Sequence, residues 1–256
     1  MSTLATFAYV QVRLQARHGA RPDEGLWRRL QGTSDFANYL QLARHTPLRP
    51  WVATLDPGQG SDEIENELRR LFRLHVDEVA GWVAPAWRPA VLWVRHLPDL
   101  PALQYLFGGE AVPAWIQTDP ELHDMGCLPV DARLSAIRES DCTVFFAAWQ
   151  AGESLPDAWL AHWQTLWPKS ARHDRHLEAL GKALRQYLQV LQADTGGSVQ
   201  TRSEVLQLQL LSAFRRYSFQ PAAVFSYLAL TALDLARLRG ELLVRLLFST
   251  NLEQVA

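Results

Sequence analysis

Lysine and cysteine are both scarce in this sequence of 256 residues. Only Lys169 and Lys182 are lysines, so almost all of the positive charge is carried by arginine. Cys127 and Cys142 are the only cysteines, and no apolar leader with a small-residue cleavage site opens the sequence. We therefore expect a reducing, cytoplasmic compartment. The formal net charge of −2 gives no electrostatic reason to expect nucleic acid or an anionic membrane as a partner.

Long uncharged runs and β alternation are also missing. The longest stretch without a charge, 217–233, has 17 residues, whereas a membrane-spanning helix needs about 20 mostly apolar residues. We therefore predict a buried helix at this position and no membrane span. The best strand candidate, 143–146, has flanks that fit a helix better.

Apolar residues recur at helical spacing over most of the chain, and the run 63–82, which follows a turn at 56–61, is the cleanest amphipathic example. Apolar residues make up 48% of the chain, which is enough for a sizeable core. Prolines break the pattern between 81 and 130, where tryptophan is also frequent. The sequence predicts an all-α fold, a multi-helix bundle or funnel-like helical domain over 1–256, with an irregular region at 81–130.

Three tryptophans, Trp159, Trp163 and Trp167, recur every four residues and therefore share one face of a predicted helix. Large aromatic side chains at this spacing favour a place in the core. An exposed aromatic stripe would instead suit a protein partner.

Several helix boundaries follow from capping residues. Thr33 or Ser34 is predicted to cap the third helix. Thr201 and Glu204 have the spacing of a capping box, which predicts the start of the penultimate helix there. Pro221 is predicted to begin the last helix.

The short motifs favour neither a nucleotide-binding loop nor a nucleophile. Gly181-Lys182 is the only Gly-Lys pair, and it lies in a predicted helix and is followed by Ala183, so no phosphate-cradling loop is expected. Cys142 lies among Val144 and two phenylalanines, a setting that favours a buried structural thiol over a nucleophile.

Histidines offer two possible sites for a metal. His173 and His176 are three residues apart on a predicted helix, and His123 and Cys127 form a second pair in a predicted loop. A zinc site needs three or four ligands, and further ligands are not evident for either pair. We expect no catalytic residue, no metal ligand and no cofactor.

The last helix carries a thin polar stripe on an otherwise apolar sequence. Asp234, Arg237, Glu241 and Arg245 follow one another at spacings of three, four and four residues. Residues at these spacings are neighbours on a helix, so the pattern predicts a ladder of alternating charge. The ladder could link helices within the protein or contact a partner.

The same helix resembles the closing helix of the C/d subunit family of V-type and A-type ATPases. The resemblance rests on Tyr227, Leu228, Asp234 and either Arg237 or Arg239 in a leucine-rich helix. Three further segments resemble the family's opening tyrosine and arginine helix, its Leu-x-x-Thr helix end and its Ile-Glu-x-x-Leu element, and these are 9–14, 42–55 with Thr46, and 63–68. The chain is shorter than the usual family member.

The resemblance implies a non-catalytic component of a rotary ATPase, cytoplasmic and peripheral to the membrane. Members form a funnel of helices that sits on the membrane c-ring and receives the central axle, so c-ring and central-axle subunits are the expected partners. The residues expected to serve a partner or the structure are Tyr227, Asp234, Arg237, Arg239, Glu241 and Arg245.

Two alternatives remain. One is an orphan helical scaffold or interaction protein that has the same fold in another complex. The other is a small enzyme that uses His123, Cys127, His173 or His176.

Overall fold

A computed structural model describes residues 3–108, 111–192 and 197–253 of the protein. Within these ranges the fold is all-α, as predicted, and contains no strand. The α-helices, in chain order, are α1 (Thr3–Gly19), α2 (Glu24–Gln31), α3 (Phe36–Arg44), α4 (Arg49–Val52), α5 (Ser61–Trp82), α6 (Arg88–Leu92), α7 (Leu100–Phe107), α8 (Ala114–Gln117), α9 (His123–Gly126), α10 (Val130–Glu139), α11 (Thr143–Gln150), α12 (Leu155–Thr165), α13 (Arg175–Gln192), α14 (Gly197–Arg216) and α15 (Pro221–Glu253). Three short 3₁₀ helices are Pro85–Trp87, Trp93–Asp99 and Lys169–Ala171.

The start of α3 differs from the prediction. Asp35, rather than Thr33 or Ser34, is the capping residue, because its carboxylate accepts a hydrogen bond of 2.7 Å from the backbone N–H of Asn38. All three candidates are good capping residues. The choice among them depends on where the chain turns into the helix, which propensity alone does not define.

The boundaries of the last two helices agree only in part with the sequence. Pro221 is the first residue of α15, as predicted. The capping box at Thr201 and Glu204 is wrong, because α14 begins earlier, at Gly197, and both residues lie inside the helix.

The predicted irregular region consists of short helices joined by turns. Between residues 85 and 126 no described α-helix is longer than eight residues. Prolines occupy the first turns of α6 and α7, where a missing backbone N–H costs no hydrogen bond. Trp87 and Trp93 are buried, so the region packs against the rest of the protein although it has little regular structure.

Helices α5 and α15 lie at the centre of the protein. Helix α15 forms a hairpin with α14 and also contacts α1, α3, α5 and α13. The predicted core role of Trp159, Trp163 and Trp167 is confirmed, since all three side chains are buried.

Helix α5 carries two arginines into the interior. The guanidinium of Arg73, only 2% exposed, donates to Asp99 and, at 3.1 and 3.2 Å, to both carboxylate oxygens of Asp119. The side chain of Arg69 is also buried. Asp99 ends the 3₁₀ helix Trp93–Asp99, and Asp119 follows α8. This network therefore fixes two parts of the irregular region to α5.

Replacing Arg73 by Met should destabilise the protein by about 3–5 kcal/mol, because Asp99 would lose the cation bonded to it and Asp119 would keep only the more distant Arg69, 3.9 Å away. Urea unfolding at neutral pH measures the loss. Arg95→Met is the matched control, since Arg95 pairs with Asp77 and Glu121 at the surface and its loss should cost about 1 kcal/mol or less. Equal losses for the two variants would contradict the structural role given to Arg73.

The buried carboxyl of Asp99 should make stability depend on pH. Burial raises its pKa to about 6 from an ordinary value of 3.8. A raised carboxyl pKa means that the folded state binds the proton more tightly than the unfolded state. The stabilisation is therefore present below about pH 4 and is lost as the pH rises through 6, by an amount on the order of 3 kcal/mol. The difference in unfolding free energy between the protein and Asp99→Asn, measured from pH 4 to 7, should carry this slope. A constant difference would rule the titration out.

Candidate functional site: the last helix and the groove beside it

Asp234, the first acidic residue of the polar stripe, is bound to a distant helix end. Both carboxylate oxygens accept hydrogen bonds from Arg21, at 2.7 and 2.9 Å, just beyond the end of α1. Each side chain is 11% exposed. Burial raises the pKa of Asp234, and the Arg21 guanidinium acts in the opposite direction by favouring the charged form.

Arg237 also bonds away from its own helix. It donates at 2.6 Å to Glu24 of α2, and its guanidinium lies over the Trp27 ring, 4.7 Å from the centroid. Arg237 therefore contacts α2 instead of forming the predicted pairs with Asp234 and Glu241.

Of the three pairs predicted for the ladder, Glu241 and Arg245 are the one that forms along the helix, at 2.6 Å. Arg245 also donates to the carbonyl oxygens of Leu30 and Thr33, at 3.3 and 2.7 Å, and lies over the ring of Tyr39. The carbonyls at the end of a helix lack partners within the helix, so this arginine side chain supplies donors to the end of α2.

Tyr227 and Arg239 connect α15 to α5. The hydroxyl of Tyr227 lies 3.0 Å from Nε2 of His75, and Arg239 donates to the carboxylate of Glu65. Burial is the main cause that lowers the pKa of His75 to about 4, and the nearby Arg17 acts in the same direction. At neutral pH the imidazole is therefore uncharged, and Nε2 can accept the hydrogen bond from Tyr227. The polar stripe thus links α15 to α1, α2 and α5.

A small cavity of about 230 Å³ opens beside Tyr227 and Asp234. Its charged side chains are paired across it, Arg17 with Glu78 at 2.6 Å and Arg21 with Asp234. The cavity therefore presents compensated charge and belongs to the packing between α1, α5 and α15.

A larger groove of about 610 Å³ runs along the other side of α15. Its walls come from α5, α7, α12, α13 and α14, together with the 3₁₀ helix Trp93–Asp99. The side chains that line it are mostly apolar, and three aromatic examples are Trp159, Trp163 and Phe225. A cavity of this size falls in the range of about 300–1,000 Å³ typical of small-molecule sites.

Four charged residues lie at the edge of the groove, Asp62, Glu65, Arg69 and Arg239. The Glu65 carboxylate receives hydrogen bonds from both arginines. Arg69 is 6% exposed and lies over the Trp115 ring at 4.4 Å, and its buried Nη1 atom has no hydrogen-bond partner. A carboxylate oxygen of Asp119 lies 3.9 Å from Nη1, beyond hydrogen-bond distance.

Comparison of the chain with protein-family models, with curated proteins and with solved structures gives no match. The resemblance noted in the sequence therefore supports an expectation about function only.

The residues considered for metal binding or catalysis have other contacts. His123 is in the short helix α9, not in the predicted loop, and its ring contacts the carbonyl oxygen of Gln117 and lies 3.6 Å from Sγ of Cys127. His176 stacks on Tyr217 with ring centroids 4.0 Å apart. Burial raises the pKa of the Cys142 thiol to about 11, which disfavours the thiolate. Among the described residues, no three His, Cys, Asp or Glu side chains are grouped so that they could hold a metal ion.

Among the described residues one helical segment, the part of α15 from Pro221 to Phe248, is long and apolar enough to cross a membrane by length and composition. It contains most of the uncharged run predicted to form a buried helix. In its most apolar window 72% of the residues are buried within the protein, as in the core helix of a soluble protein.

The sequence reasoning missed the buried charges on α5. Arg69 and Arg73 are four residues apart and follow Asn66 on a helix whose apolar face was recognised. That spacing puts the two arginines on one face of the helix, and it could have indicated that they lie together. Their partners Asp99 and Asp119 lie in the irregular region, where no periodicity gave a way to place them.

Replacing Asp234 by Lys should cost about 3–5 kcal/mol, because a buried cation would then face Arg21 without a carboxylate. Thermal and urea unfolding measure the change. Glu24→Gln is a control for the same stripe, since it breaks the more exposed pair with Arg237 and should cost about 1 kcal/mol or less. A loss near 0.5 kcal/mol for Asp234→Lys would mean that the position is solvated.

Proposed function

We propose that the protein is a non-catalytic adaptor of the rotor stalk, similar to the C/d subunits of V-type and A-type ATPases, that couples the central axle to the membrane c-ring. The observation that carries the proposal is the way in which α15 is tied into the protein. The residues that carry the family resemblance, Tyr227, Asp234, Arg237 and Arg239, are also the residues that bind it to α1, α2 and α5.

Transmission of torque requires a part that does not deform under load, and α15 has suitable properties. It is 33 residues long, or about 50 Å at 1.5 Å per residue. A buried ion pair holds it at Asp234, and donation to the end of α2 holds it at Arg245. Partners placed at different points along such a helix would move as one body with it.

An adaptor also needs surfaces for its partners, and the distal part of α15 offers one. Val244, Leu247 and Phe248 are 50, 64 and 65% exposed and recur at three- and four-residue spacing, so they share one face of the helix. Leu242 and Arg245 are buried on the other side. We call Val244, Leu247 and Phe248 the distal face, and an exposed apolar cluster of this kind is typical of a protein–protein contact.

The same distal face also supports the second candidate function, an adaptor with this fold in a different assembly, because it does not depend on the identity of the partner. The two candidates differ in what co-purifies. Membranes solubilised gently from the native cell and passed over the tagged protein should yield c-ring and axle subunits if the first proposal is right. A defined set of other proteins, with those subunits missing, would replace it by the second.

The double replacement Leu247→Asp and Phe248→Asp should abolish co-purification of the partners, because two carboxylates would have to be buried in an apolar contact. The melting temperature should change little, since both side chains are exposed. Leu208→Asp is the matched control: Leu208 is 68% exposed but lies on α14, and the change should leave co-purification intact.

In the rotary complex the double replacement should uncouple ion transport from ATP hydrolysis without removing hydrolysis itself. Proton or sodium uptake into vesicles, measured beside phosphate release, tests this. Normal coupling in the double variant would exclude the distal face as the docking surface.

A further inference from the structure

The groove beside α15 has the volume of a ligand site, and small side chains line its floor. Ala229, Ala232 and Ala236 recur along the groove side of α15 at spacings of three and four residues. These small side chains leave space that larger residues would fill. The described residues leave this apolar lining unfilled, and displacement of water from apolar surface of this kind is favourable.

One end of the groove is polar and the other is apolar. Arg239 pairs with Glu65, and Tyr227 pairs with His75, so α5 and α15 run in opposite directions past each other. Fourteen residues separate Arg239 from Phe225, a distance of about 21 Å along the helix. The occupant that this geometry favours is long, apolar and polar at one end.

The polar end offers hydrogen-bond donors. Arg69 and Arg239 share the single carboxylate of Glu65. A carboxylate accepts charge-assisted hydrogen bonds from a guanidinium group, and these are stronger than bonds between neutral partners. Arg239 is half exposed, so it can turn toward a second carboxylate.

We propose that this groove binds one long-chain carboxylate, with the head group against the half-exposed Arg239 and the alkyl chain along the alanine floor toward Phe225. Asp62 at the same edge repels an anion, so the affinity rests on hydrogen bonds to the Arg239 guanidinium and on the apolar contact of the chain rather than on net charge. The site is separate from the distal face of α15 and does not depend on the identity of any protein partner.

Tryptophan fluorescence tests the proposal directly, because Trp115, Trp159 and Trp163 line the groove. Dibrominated stearic acid, whose bromine atoms quench indole emission on contact, should quench the full-length protein saturably with one site per chain. The methyl ester of the same acid should bind at least tenfold more weakly, because its carbonyl oxygen is uncharged and accepts a weaker hydrogen bond from Arg239 than a carboxylate does. Absence of saturable quenching, or equal affinity for acid and ester, overturns the proposal.

Two pairs of variants test where the alkyl chain and the head group bind. Ala232→Phe should fill the floor and weaken binding of the acid at least tenfold, whereas Ala132→Phe on the exposed surface of α10 should leave it unchanged. Arg239→Gln should weaken binding of the acid at least tenfold but not that of the ester. Arg237→Gln, two residues away and directed to α2, should have no such effect.

Replacing Asp62, an acidic residue at the groove edge, should change the binding of the acid in the opposite direction. Asp62→Asn should strengthen binding of the acid several-fold and leave the ester unchanged, because it removes one like charge. If Ala232→Phe does not fold, Arg239→Gln and Asp62→Asn still decide the result, since both positions are exposed. If neither variant changes the affinity for the acid, the ligand contacts the protein elsewhere and the proposal is wrong.

The same titration separates this site from protein docking. The double replacement of Leu247 and Phe248 by Asp should leave stearate binding unchanged. An axle or c-ring protein that bound in the groove itself would instead compete with stearate, and displacement of the quencher by the isolated partner would overturn the proposal.

Discussion

The buried guanidinium of Arg73 is the constraint on which the arrangement of the irregular region depends. A lone cation in the interior would be costly, and it is stable here because Asp99 and Asp119 neutralise it with direct hydrogen bonds. Those two carboxylates belong to segments without long helices of their own. The position of each carboxylate is therefore fixed by its bond to α5. Helix α5 itself can be predicted from its own apolar pattern.

The last helix uses charge in the same way but toward more partners. Within the polar stripe only Glu241 and Arg245 pair with each other along the helix. Asp234, Arg237 and Arg239 instead bond to Arg21, Glu24 and Glu65 on other parts of the fold. The Arg21–Asp234 pair is partly buried, whereas the pairs of Arg237 and Arg239 are more exposed. A partly buried pair between two parts of the fold restricts their relative movement more than a solvated pair does, which suits the proposed adaptor.

The small side chains of α15 explain how the groove between it and α5 stays open. The two helices are joined at Tyr227 with His75 and at Arg239 with Glu65. Between these points the alanine floor carries too little side-chain volume to close the space. The scaffold and the proposed ligand site thus depend on the same pair of helices, while the distal face lies farther along α15.

Helical periodicity determined the fold class, the long amphipathic helix α5 and the buried tryptophans of α12, because each depends on neighbours within a turn or two. The start of α15 follows from the preference of proline, here Pro221, for the first position of a helix. The cap at Asp35, the early start of α14 and the partners of the polar stripe were decided by tertiary structure. Arg21 and Asp234 are 213 residues apart in the chain, so no local spacing relates them. An arginine can bond within its helix or across to another, and the packing of the helices determines which carboxylate it reaches.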